Sequence, residues 1–171
     1  MRPTPELTLA RLKGHAAACL AGRELSAEEL RQKLLHFGGD SDVVEQVLEE
    51  FRVRGWQDDH RVLELQQRMA ERRGWGPLRL RQHLQSKGLA PDLIADGLQA
   101  QDTEDWIERG LSLLLVRFSS PLSQDDRTEA KIMRFLAYRG YSRGQALQAI
   151  KRWKLLVAEQ HPSEYLPGDQ G

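Results

Sequence analysis

"GPLRLRQHLQSKGLAPDLIADGLQAQ", residues 76–101, carries the pattern that decides the fold. Leu80 and Leu84 stand four apart, and so do Ile94 and Leu98, which sets each pair on one face of an α-helix. Gly76-Pro77 opens the first helix, because proline suits a position whose N–H has no intrahelical acceptor. Gly88 closes it. A helix end commonly needs a left-handed residue, where a Cβ costs roughly 1–2 kcal/mol. Ala90-Pro91 then opens the second helix, so the stretch reads as two short amphipathic helices joined by a glycine turn.

The pattern recurs twice without a gap, in "SAEELRQKLLHFGGDSDVVEQVLEEF" (26–51) and "TEAKIMRFLAYRGYSRGQALQAIKRW" (128–153). The three windows start at Ser26, Gly76 and Thr128, and Ser26 stands in capping-box spacing to Glu29. Leu30/Leu34 and Ile132/Leu136 repeat the first apolar pair, and Gly38 and Gly140 repeat the glycine. Asp40 and Ser142 open the second helices, whose stripes are Val44/Leu48 and Ala146/Ile150. A further amphipathic helix precedes each window, over about 6–21, 59–73 and 103–118. No alternating apolar and polar segment with turn signals argues for a sheet. The expected fold is all-α: a tandem array of three three-helix repeats at 1–57, 58–101 and 102–160, with a flexible tail at 161–171. One repeat buries little alone, so stacked neighbours are expected to form an elongated, curved molecule.

Composition sets further bounds. The 171 residues are 40 % hydrophobic and 29 % charged, with zero formal net charge, as in ordinary globular chains. The single Cys19 excludes an internal disulfide and fits a reducing compartment. The longest apolar run, Leu113-Leu114-Leu115-Val116, is far short of a membrane span, and the N-terminus lacks a signal-peptide core. A cytoplasmic protein with no membrane partner is expected.

Enzyme motifs fail on inspection. Gly74-Trp75-Gly76 has neither the lysine nor the preceding strand of a phosphate loop. Asp58-Asp59-His60 reads as a helix start with acids at the positive dipole end, not as metal ligands. His15 and Cys19 share a helix face but have no further ligands to complete a metal set. No catalytic, cofactor or metal residue is assigned, and a non-enzymatic protein is expected.

The zero net charge hides two basic stretches. Arg68–Lys87 holds six Lys/Arg against the single acid Glu71, and Arg127–Lys154 holds eight against Glu129. Local sign steers an anionic partner more than the total does. With Leu80 and Leu84 facing the core, Arg79, Arg81, His83 and Lys87 are left for the outside. Trp75 stands among arginines in a Gly-Trp-Gly-Pro connector, where it either covers a bundle end or anchors in a partner. Tyr138-Arg139-Gly140-Tyr141 presents a similar cluster in the third repeat.

The stretches "GWQDDHR" (55–61), "GWGPLRLRQHLQSKGL" (74–89) and "KIMRFLAYRGYS" (131–142), with "SAEELRQKLL" (26–35), resemble the RecX family of RecA regulators over about residues 8–156. One departure is Arg61-Val62-Leu63, where the family carries an aromatic residue soon after the aspartate pair. The resemblance implies a curved, helical, non-enzymatic monomer that binds RecA filaments on single-stranded DNA. It implies inhibition of strand exchange, ATP hydrolysis and the repressor cleavage of the SOS response, and hence regulation of DNA repair and recombination. Within it, the partner or DNA-binding surface is expected at Arg72, Arg73, Trp75, Arg79, Arg81 and Lys87, then Arg134, Arg139 and Arg143. Single-stranded DNA is met directly or through the filament. The competing expectations are a direct DNA-binding protein without recombinase specificity, against which the neutral pI stands, and a scaffold whose charges are only solvated.

Overall fold

The computed structural model describes residues 8–118 and 126–160, with the side chains of Asp126 and Gln160 excepted. Among them are nine α-helices and no strand: α1 Leu9–Gly22, α2 Ala27–His36, α3 Ser41–Val53, α4 Asp59–Arg72, α5 Pro77–Ser86, α6 Pro91–Gln99, α7 Thr103–Arg117, α8 Asp126–Arg139 and α9 Arg143–Gln160. The tail expected at 161–171 lies outside the described residues. No described helix is long and apolar enough to cross a membrane.

The helix boundaries follow the local chemistry. Ser26 and Glu29 form the expected capping box on α2, and Asp102 forms another with Asp105 on α7. Asp40 caps α3 by accepting the Asp42 N–H. Thr128 is the exception, since α8 begins two residues earlier, at Asp126. Neither Asp126 nor Arg127 opposes a helix, so the hydroxyl at 128 does not mark its end. Helices α2, α5 and α8 finish on the shared glycine, with the next N–H reaching back five residues, as from Tyr141 to the Leu136 carbonyl at 3.1 Å. Two endings not read from the sequence repeat this motif at Gly55-Trp56 and Gly74-Trp75. At the first, Trp56 meets Phe51 edge-on, the apolar contact that accompanies such a cap.

The chain forms two compact units, Met1–Arg68 with Gln82–Gly97, and Met69–Arg81 with Leu98–Gly171; the division runs through α4, α5 and α6. The core of the first joins Leu12 and Ala16 of α1, Leu30 and Leu34 of α2, and Val44, Val47, Leu48 and Phe51 of α3. These include the stripes expected from spacing. The "QDDHR" stretch fastens this bundle. Asp58 caps α4 through the His60 N–H, while the Asp59 carboxylate accepts the Ala27 N–H and the Gln57 amide. Gln57 also donates to the Leu25 carbonyl, and Arg61 bonds Glu24 together with the Gly55 and Trp56 carbonyls. The residues of this stretch therefore tie the start of α4 to the start of α2.

In the same unit the end of α5 meets the start of α2. The Ser26 hydroxyl donates to the Lys87 carbonyl, Lys87 Nζ lies 2.9 Å from Glu29, and Gly88 abuts Glu28. Burial pushes the Glu29 carboxyl up, but hydrogen bonds from Lys87 and the Ser26 N–H outweigh it and hold the group below its usual range. A folded pKa below the unfolded one stabilises above the unfolded value, and that stability is lost as pH falls through the folded value. Acidification from pH about 5 to about 3 is therefore expected to lower the urea midpoint more steeply in the parent than in Glu29→Gln. Equal slopes would show that Glu29 carries no such linkage.

The second unit has the core Ile107, Leu111 and Leu114 of α7, Ile132 and Leu136 of α8, and Ala146, Ala149, Ile150, Trp153 and Val157 of α9, with Phe118 and Tyr141. The Trp153 indole donates to the Phe118 carbonyl at 3.2 Å. Arg152 bridges α9 to Glu104 and Glu108 of α7, and Lys154 bonds Glu129 of α8. Here the start of α5 meets the end of α8. The Gly76 N–H donates to the Arg139 carbonyl at 2.7 Å, and the Leu78 N–H to the Gly140 carbonyl at 3.0 Å. Helix starts have spare donors and helix ends have spare acceptors, so the two termini satisfy each other. Gly140 has φ +88°, and a Cβ there would lie 2.5 Å from the Arg79 backbone nitrogen.

Candidate interaction surface

Eight of the nine residues singled out from the sequence belong to the second unit; Lys87 belongs to the first. Lys87 is only 13 % exposed in its side chain and spends its charge on Glu29. His83, also read as outward, is partly buried and bonds Gln66 at 2.9 Å.

Trp75 is 8 % exposed, so the connector aromatic covers a bundle end. Its position follows from the Gly74 turn, which returns the Trp75 N–H to the Ala70 carbonyl. The Arg79 guanidinium lies 4.6 Å from the Trp75 ring and 5.2 Å from that of Tyr138, and Nη1 donates to the Tyr138 carbonyl. Arg73 lies 5.5 Å from Trp75. Arg139 donates to the Arg73 carbonyl and sits 5.3 Å from the Phe135 ring. Such cation–π contacts contribute roughly 0.5–2 kcal/mol each, depending on desolvation. Arg79 and Arg139 are thus built into the meeting of α5 and α8. Tyr138 is 76 % exposed even with Arg79 over its ring.

The remaining arginines stand differently. Arg72, Arg81, Arg134 and Arg143 are exposed and make no hydrogen bond or ion pair among the described residues. In the first unit, by contrast, Arg23, Arg31, Arg52, Arg54, Arg61 and Arg68 each bond a carboxylate. Pairing is not confined to the first unit, since Arg109, Arg152 and Lys154 of the second bond carboxylates, and the Arg11 side chain of the first has no partner among the described residues. Four guanidiniums on one unit keep both charge and donors available to an anion.

Other titratable groups have local explanations. Cys19 Sγ is 3.7 Å from His15, whose ring stacks on Phe37 at 3.9 Å, and no group of three metal-ligating side chains assembles among the described residues. Burial pushes the Tyr141 phenol up to about 12, and its hydroxyl has no hydrogen-bond partner among the described residues.

Comparison with known proteins adds a family. Residues 63–98 match the model of the RecX second three-helix domain. The regulatory protein RecX of Acinetobacter baylyi is 35 % identical over 147 residues, which cover 86 % of this chain and 91 % of that protein. Its counterpart in Leptothrix cholodnii is 38 % identical over 148 residues, covering 86 % and 90 %. Among solved structures, RecX from Lactobacillus salivarius superposes with a TM-score of 0.76 at 20 % identity, over 86 % of this chain and 97 % of that one.

Proposed function

Since the chain belongs to the RecX family, we propose that it regulates the RecA recombinase by binding its filament on single-stranded DNA and inhibiting it. The observation that supports this most is the set of unpaired guanidiniums at Arg72, Arg81, Arg134 and Arg143 on the second unit. An assembly of recombinase and DNA offers both carboxylates and phosphates to such a surface. Arg73, Arg79 and Arg139 are held by local contacts to Trp75, Tyr138 and Phe135 in the same unit, and Lys87 is committed to Glu29 in the first. Neither chemistry nor a cofactor enters this account. The protein acts by different affinities for the growing and the arrested filament, which suffices to shift their populations.

Direct DNA binding is the second reading, and exposed Tyr138, one turn after the free Arg134 on α8, favours it. Co-sedimentation with the cognate RecA filament, run beside binding to bare single-stranded DNA at two salt concentrations, separates the two. Filament binding that survives a salt concentration at which bare DNA is released is expected. Equal affinity for both, falling by roughly 0.7 log units per phosphate contact for each decade of salt, would replace the recombinase with DNA as the partner.

A further inference from the structure

Resting on that reading, we infer that the outward face of α8 tracks the sugar-phosphate chain of the filament's single-stranded DNA, with Arg127, Lys131 and Arg134 meeting phosphates and Tyr138 a base. All four residues are exposed, and all belong to the second unit. Their spacing of four, three and four sets them in one row along the helix, opposite buried Ile132 and Leu136. The row runs about 16 Å along the axis, with one side chain roughly every turn.

By itself this row is unfavourable to the helix. None of its three cations makes a side-chain hydrogen bond or ion pair among the described residues. Arg127–Lys131 and Lys131–Arg134 are like charges at the spacings where other helices of the chain set unlike ones, as in Glu28–Arg31, Glu50–Arg54 and Glu64–Arg68. Arg127 also stands in the first turn of α8, at the positive end of the dipole. Nor does the row belong to the repeat. The same positions hold Glu29, Gln32 and His36 on α2, and Arg79, Gln82 and Ser86 on α5. An anion laid along α8 offsets the repulsion.

Regular spacing and the aromatic end select the ligand. A polymer with one charge on every monomer meets cations one turn apart, and its phosphates take arginine as a fork and lysine as a point charge. Among the described side chains of α8 the one acid is Glu129, and Lys154 of α9 neutralises it. No carboxylate of the helix therefore opposes a phosphate on this face. Tyr138 closes the row, its ring braced by the Arg79 guanidinium at 5.2 Å and still exposed. Such a ring stacks on a base, and an unpaired base is the one free to reach it, so a single strand fits better than a duplex.

Salt dependence tests this. Binding to labelled oligothymidylate and to the cognate filament is measured at graded salt for the parent and for the triple variant Arg127→Gln, Lys131→Gln, Arg134→Gln. Loss of three phosphate contacts is expected to make the slope of log K against log salt shallower by about 2 on both ligands. Thermal stability of the variant is expected to be kept or raised, because the substitutions relieve repulsion along α8. Tyr138→Ala is expected to weaken oligothymidylate binding about tenfold with the slope unchanged, and Tyr138→Phe to keep the parent affinity. Equal slopes for parent and triple variant on either ligand, or a hairpin duplex held as tightly as the single strand, overturn the inference and leave the functional reading intact. Failure of the parent protein to co-sediment with the filament overturns both.

Discussion

Gly140→Ala is expected to destabilise the protein by about 3–4 kcal/mol, whereas Gly38→Ala, at the equivalent position of the first repeat, is expected to cost only about 1–2 kcal/mol. Both glycines have positive φ, so both substitutions carry the left-handed penalty. They differ in surroundings. A Cβ at Gly38 meets nothing within 4 Å, while one at Gly140 runs into the backbone of Arg79. A flexible side chain turns aside, but a backbone held by hydrogen bonds from Gly76 and Leu78 does not. At about 2–4 °C per kcal/mol for a chain of this size, melting points separate the two variants clearly. Equal losses would mean that the meeting of α5 and α8 contributes nothing to stability.

The second large effect is functional. Reversing Arg81, Arg134 and Arg143 together to Glu is expected to weaken filament binding at least about a hundredfold, or roughly 2.7 kcal/mol, and to abolish inhibition. Because none of the three has a partner among the described residues, the helical circular dichroism spectrum is expected to remain and stability to change little. Arg79→Glu is a poorer probe, since Arg79 packs between Trp75 and Tyr138 and its loss would disturb the α5 start as well. Inhibition by the triple variant equal to that of the parent would remove these arginines from the partner surface.

Most of the fold was legible because its determinants are local. Leucine pairs four apart, capping residues and a recurrent glycine specify helix faces and ends within a few residues of themselves, and buried Leu30/Leu34, Leu80/Leu84 and Ile132/Leu136 follow from them. Gly55 and Gly74 were visible but went unread as helix ends, although each precedes a tryptophan just as Gly140 precedes Tyr141. The reach of Asp59 to Ala27, 32 positions away, had no signal in spacing.

The candidate surface is legible in sequence only as a group. Basic residues at 72–87 and 134–143 stand out by composition, but pairing depends on which carboxylates the fold brings near. Lys87 finds Glu29 58 positions away, whereas Arg81 finds no partner among the described residues. Arg79 and Arg81 are two apart on one helix, yet the first is stacked between aromatic rings and the second is open to solvent. Trp75 was undecided between core and partner on sequence, and the Gly74 turn decides for the core by directing the chain inward.

The most direct test of the regulatory role is single-stranded-DNA-dependent ATP hydrolysis by the cognate RecA, followed as this protein is added well below one molecule per recombinase protomer. The account predicts loss of hydrolysis at those ratios, in salt at which the protein no longer holds bare DNA. Undiminished hydrolysis until the protein is abundant enough to coat the DNA would contradict it.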